Sequence, residues 1–272
     1  MSSSDSEAEM FDFSLLRAEE PEDPPPPPPT TETYTSALTP PTFPDLTIRL
    51  VGHNPLWGHH LWNGARVVSA YFEKSPELVK GKTIFELGAG AGLPSLVAAK
   101  LGAKKVVVTD YPDEDLVKNL WWNVEHNEVG TLQEDGEPAP NSTVVAAGYL
   151  WGAGAEPMLH HITPDAGFDL LILADLLFNH SEHMKLLDTV RRTLKRTRDA
   201  QALVFFTPYR PWLFEKDMSF FAISEEGGFS VEKVLEEKME KVMFEKDRGD
   251  EEVRRTVYGY VLKWKENELD LA

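Results

Sequence analysis

Three features of the amino-acid sequence predict an α/β domain: a mostly parallel sheet of seven strands, helices on both of its faces, and an antiparallel hairpin at one edge. Short apolar runs alternate with helix-length runs, as expected of parallel strands buried on both sides. A glycine-rich turn joins the first of these runs to the helix after it. After Gly227-Gly228 two strand-like runs follow one another with no helix between them, which an antiparallel edge accommodates.

The elements follow in order. Leu46, Ile48 and Leu50 alternate as in a short strand, and Asn54-Pro55-Leu56-Trp57-Gly58 reads as a turn. Apolar residues at helical spacing predict an amphipathic helix over 59–73. Strands are expected at 83–87, 105–109, 143–147, 169–174 and 202–207, with helices at 93–101, 113–126, 182–195 and 212–225. The last two strands are 229–235 and 256–264, joined by a charged loop at 245–252. Residues 1–44 stand apart. The first 45 residues hold ten acidic side chains against the single basic Arg17, half of the net charge of −18, and Pro24–Pro29 is unbroken proline. Such a stretch disfavours both helix and sheet, so 1–44 is expected to be a disordered acidic tail and 45–272 the folded domain.

Composition narrows function. Without cysteine there is no disulfide framework, thiolate metal site or cysteine nucleophile. The acidic balance argues against nucleic acid as partner, since phosphate binding rests on Lys and Arg. No run approaches the roughly 18 apolar residues of a membrane span, and the first ten residues show no targeting pattern. A cytoplasmic monomer is the expectation. His180 and His183 stand three apart, but with no third ligand in view no metal is expected.

The stretch Thr83-Ile84-Phe85-Glu86-Leu87-Gly88-Ala89-Gly90-Ala91-Gly92-Leu93-Pro94 carries most information. Its glycines allow a tight turn and close approach of a ligand, and a helix start follows with unpaired N–H groups. The dinucleotide fingerprint requires a third glycine where Leu93 stands, so an NAD-dependent oxidoreductase is disfavoured. An acid two residues before the first glycine suits a cationic ligand without pyrophosphate. Asp110, at the end of the next strand, is placed to accept hydrogen bonds from ribose hydroxyls, although it could instead cap the following helix.

These residues, with Trp57, Gly148-Tyr149-Leu150-Trp151-Gly152 and Ala174-Asp175, resemble the class I, seven-strand, S-adenosylmethionine-dependent methyltransferases, a Rossmann-like fold. Within them the chain is similar to the fungal group that methylates the amino terminus and a lysine of translation elongation factor 1-alpha, over roughly 46–264. That resemblance implies S-adenosyl-L-methionine as cofactor and a basic protein as partner. It places Gly88, Ala89 and Gly90 along the methionine and ribose, and Glu86 on the cofactor side of the turn. It sets Asp110 on the ribose, Trp151 near the adenine, Ala174 as a backbone contact and Trp57 as a closing residue. For the acceptor pocket, strand-end positions nominate Asp175, Phe178 and Asn179 after the fourth strand and Tyr209 and Arg210 after the fifth, with Asp175, Asn179 and Tyr209 as the catalytic set. No general base is assignable. A free α-amine, with pKa about 7.7–8.0, is neutral in roughly one molecule in seven at pH 7, whereas a lysine is neutral in about one in 2,500. A small-molecule amine such as nicotinamide is the alternative acceptor, and a non-catalytic cofactor-binding interaction protein is the third reading.

Overall fold

The computed structural model describes residues 27–162 and 167–269. Strands β1 (Thr30–Tyr34) and β2 (Leu46–Leu50) pair antiparallel, with Thr30 opposite Leu50 and Tyr34 opposite Leu46. The expectation that everything to residue 44 is tail is therefore corrected for residues 30–44; its greater part, 1–26, lies outside the described residues. The physical reason is burial: Tyr34 and Phe43 join the core. Glu73 is buried among donors from the same segment, the Tyr34 hydroxyl at 2.8 Å, the Ala37 N–H at 3.0 Å and the hydroxyls of Ser36 and Thr42.

The main sheet contains β3 (Thr83–Leu87), β4 (Lys105–Asp110), β5 (Val144–Gly148), β6 (Leu170–Ala174), β7 (Gln201–Phe206), β8 (Phe229–Lys238) and β9 (Thr256–Trp264). Their spatial order is β5-β4-β3-β6-β7-β9-β8. The first five run parallel, and β9 slots antiparallel between β7 and β8. The Rossmann-like, seven-stranded α/β reading with an antiparallel edge hairpin is thus observed. Strand order reverses between β3 and β6, which opens a crevice beyond their carboxyl ends.

Helices α1 (Asn63–Lys74), α2 (Leu93–Lys100) and α3 (Glu114–His126) cover one face. The short α4 (Glu156–Leu159), α5 (His183–Thr193) and α6 (Phe214–Glu226) lie on the other, and one turn, α7 (Glu251–Arg254), precedes β9. Strand alternation sorts the side chains: Ile84 joins the first layer, Phe85 and Leu87 the second. The helix expected at 59–73 starts only at Asn63, because Trp57 takes a left-handed φ of 65° and Trp62 is extended.

An asparagine row on α3 fastens β2. Asn123 accepts from the Arg49 N–H at 2.7 Å and donates to its carbonyl at 2.9 Å; Asn127 does the same for Thr47 at 3.2 and 2.9 Å. These amides stand in for a neighbouring strand on the open edge. Asn123 also donates to Ala91 O at 3.0 Å and so ties the N-terminal sheet to the glycine turn.

Candidate active site

A cleft of about 360 Å³ opens where the strand order reverses. Its wall on the β3–β4 side is largely main chain. Gly88, Gly90 and Gly92 all have left-handed φ, of 56°, 56° and 77°. A side chain on Gly88 would strike Leu176 Cδ2 at 2.6 Å and Trp151 Cζ2 at 3.2 Å, whereas one on Gly90 would enter open space. Asp110 accepts from the Gly90 N–H at 2.6 Å and from the Tyr111 N–H at 2.7 Å. Burial pushes its carboxyl pKa up, and those two amides pull it down. Asp113, not Asp110, caps α3, accepting from Asp115 and Leu116 N–H.

Two positions expected on the ligand are turned elsewhere. Glu86 is fully buried and does not line the cleft. Its Oε2 accepts from the Ser95 N–H at 3.0 Å and from the Ser95 hydroxyl, clamping the start of α2 against β3. Desolvation raises its pKa to about 8, against the lowering effect of Ser95. Strand alternation sends it toward the helix layer rather than over the strand end. Ala89 also stays off the cleft; its N–H donates to Thr109 O at 2.9 Å and ties the turn to β4.

The opposite wall, beyond β6 and β7, is built from side chains. Asp175 adopts a left-handed φ of 56°. Its Oδ2 accepts from Gly64 N–H in the first turn of α1 at 2.6 Å, and its Oδ1 from Thr207 N–H at 2.7 Å. Burial raises its pKa to about 7, with the two amides pulling the other way. Ala174, Asp175, Phe178, Asn179 and Glu182 all face the cleft. Tyr209 does not line it. The Tyr209 hydroxyl lies behind Asp175 and accepts from Asn63 N–H at 3.4 Å, and its ring packs 5.0 Å from Trp62. The Arg210 guanidinium turns away to donate to Phe178 O at 2.5 Å. The two histidines stand edge to face, 5.5 Å between ring centres, but turn to different partners: His180 pairs with Asp217 and His183 donates to Leu177 O.

Trp57 and Trp151 line the cleft as expected, and Leu56, Tyr111, Leu150 and Glu182 join them unforeseen. Among the described residues seven large apolar side chains are markedly exposed, and five of them, Leu56, Trp57, Tyr111, Leu150 and Phe178, rim this one cleft. Such clustering marks a binding surface rather than scattered surface apolarity. Tyr111 was legible as the residue after Asp110. Glu182 carries no local signal, since it arrives through a turn. The charged residues lining the cleft are Asp110, Asp175 and Glu182, with no Lys or Arg among them.

Residues 43–226 match the lysine methyltransferase family. The chain belongs to that family. It is 54% identical over 224 residues to the protein N-terminal and lysine N-methyltransferase efm7 of Neurospora crassa, spanning 81% of this chain and 78% of that protein. It is 49% identical over 226 residues to the corresponding protein, EFM7, of Gibberella zeae, spanning 80% and 83%. In fold it is similar to TYW2 of Pyrococcus horikoshii in complex with MeSAdo, at a TM-score of 0.52 and 18% identity, over 86% of this chain and 72% of that one.

This methyltransferase uses S-adenosylmethionine, and the cleft fits that molecule. The open face of Gly90 admits close approach, Asp110 offers acceptor oxygens suited to ribose hydroxyls, and Trp151 and Leu150 supply apolar faces for a base. A cleft lined by carboxylates and aromatic rings suits a sulfonium cation.

Proposed function

We propose that this methyltransferase modifies the amino terminus and an adjacent lysine of translation elongation factor 1-alpha. The single observation that carries the reading is the cleft's composition: three carboxylates, no cation, and an exposed aromatic rim. That composition selects for a positively charged acceptor and leaves room for a polypeptide around it, where nicotinamide would need an enclosed slot. The relatives' names support a protein amine as acceptor. The chain's net charge of −18 adds long-range attraction for a basic protein.

On this reading Gly88, Gly90, Asp110, Tyr111 and Trp151 hold the cofactor, and Trp57, Phe178, Asn179 and Glu182 hold the acceptor. When bound, S-adenosylmethionine supplies a methyl group made electrophilic by its sulfonium. The chain's part is orientation and desolvation of the amine. Asp175 lines the cleft with both oxygens anchored by backbone amides, so its position is set before substrate arrives. Its place on the cleft wall brings the carboxylate within reach of an incoming ammonium. Its carboxyl pKa near 7 suits a group that orients the ammonium and shares its proton near neutrality. Tyr209 supports Asp175 from behind rather than touching the acceptor.

Intact-mass analysis of purified elongation factor 1-alpha, incubated with this protein and cofactor, tests the proposal. Peptide mapping should place the added methyl groups on the N-terminal amine and the neighbouring lysine. Unmodified factor alongside methylated nicotinamide would overturn it in favour of the small-molecule reading.

A further inference from the structure

The loop between β6 and α5, which brings Phe178, Asn179 and Glu182 to the cleft, is fastened from outside the cleft at three points. Arg210 donates to Phe178 O at 2.5 Å, and His183 Nε2 donates to Leu177 O at 2.8 Å. His180 Nε2 meets Asp217 Oδ1 at 2.6 Å. Asp217 sits on α6, buried, and does not line the cleft. A carboxylate held in a protein interior is costly unless it is paired and hydrogen-bonded. Burial pushes its pKa up, while His180 and the charge of Arg210 favour the ionised form. Asp217 takes no part in the chemistry of the cleft.

Its partners give it a use. The loop has little regular structure of its own, only a single turn at His180–Glu182 before α5 begins. The place of Phe178 is therefore decided by side-chain ties: one guanidinium on its own carbonyl, and one imidazole two residues on, held by Asp217. The glycine turn is tied separately, by Asp110, Thr109 and Asn123. These ties share no residue with those of the loop, and the two walls touch where Leu176 packs against Gly88. We propose that Asp217 is a positioning residue for the acceptor: through His180, with Arg210 acting on the neighbouring carbonyl, it sets where Phe178 and Asn179 stand, and it leaves cofactor binding untouched. The acceptor's identity rests on the proposed function; the positioning does not.

The test uses the full chain carrying Asp217→Ala, Asp217→Asn or His180→Ala. Hydrogen exchange should accelerate at amides 177–182 in Asp217→Ala and His180→Ala and stay unchanged at 88–92. The Kd for S-adenosylmethionine, read by calorimetry, should stay within about twofold, while acceptor KM rises about tenfold, the equivalent of one lost hydrogen bond to a charged group. Asp217→Asn keeps an acceptor oxygen for His180 and should recover most of both effects. Should Asp217→Ala fail to fold, His180→Ala and Asp217→Asn still carry the test. Loop exchange that does not change in the folded variants overturns the positioning, and so does cofactor affinity falling in step with acceptor KM. If the wild-type protein methylates no protein acceptor, the proposed function fails, and the exchange measurement still decides the role of Asp217.

Discussion

At the carboxyl ends of β3 and β4 the cleft is walled by main chain: Gly88 and Gly90 in left-handed conformation, with Asp110 holding a glycine amide. At the ends of β6 and β7 it is walled by side chains, Asp175, Phe178 and Asn179, supported by Tyr209, Arg210 and His180 from behind. A wall of backbone accepts one ligand shape, because moving it means breaking a turn. A wall of side chains can be re-aimed by changing one support. The difference suits a protein whose donor is constant and whose acceptor has to be chosen.

The comparison is broken most completely at Asp110. Asp110→Asn removes the carboxylate on the glycine-turn side of the cleft and weakens the tie to Gly90. Hydrogen bonds to charged groups contribute about 1.5–3 kcal/mol each, so cofactor affinity by calorimetry should fall about 100-fold. Gly88→Ala attacks the same wall sterically, through the contact with Leu176 and an unfavourable φ. Roughly tenfold weaker cofactor binding and a loss of about 1 kcal/mol in denaturant unfolding are expected, the usual cost of left-handed strain. Asp175→Asn probes the other wall: kcat should fall about tenfold with cofactor Kd unchanged, as when an interaction specific to the reacting state is lost.

Glu86 sharpens the contrast through pH. Its folded pKa of about 8 lies far above that of an unfolded glutamate, so the folded state keeps a proton that the unfolded chain has released. This contribution to stability is complete below about pH 4 and is lost as pH rises through about 8. Wild-type melting temperature should therefore decline between these limits, and the decline should be shallower in Glu86→Gln, measured by calorimetry. The smallest effect belongs to Trp57. Asparagine tolerates left-handed φ, so Trp57→Asn should leave stability within about 1 kcal/mol of wild type while acceptor KM rises a few-fold.

Much of this was legible beforehand because local rules sufficed. The strand at Thr83–Leu87 and the strand at Thr256–Trp264 match their expected ranges, since short apolar runs bounded by glycine or charge leave little choice. Asp110 was legible from its place one strand beyond the glycine turn. β1 was not, because Thr30–Tyr34 follows a proline run and is held by partners distant in the chain, β2 and Glu73, the latter some forty residues away. Tyr209 and Arg210 were placed at the right strand end but on the wrong side of the wall. Residue number sets where a loop begins, whereas packing sets which way its side chains turn.

The order of apolar runs, the glycines and the acidic balance by themselves determined the layered sheet, the position of the crevice and the preference for a cationic ligand, because each follows from backbone geometry or summed charge. Only tertiary structure decided which carboxylates face that crevice. Glu86 and Asp110 stand near the ends of neighbouring strands and look alike in one dimension. One meets a helix that pairs with it, and the other meets the glycine turn at the edge of the cleft, and no local pattern encodes which neighbour a side chain will find.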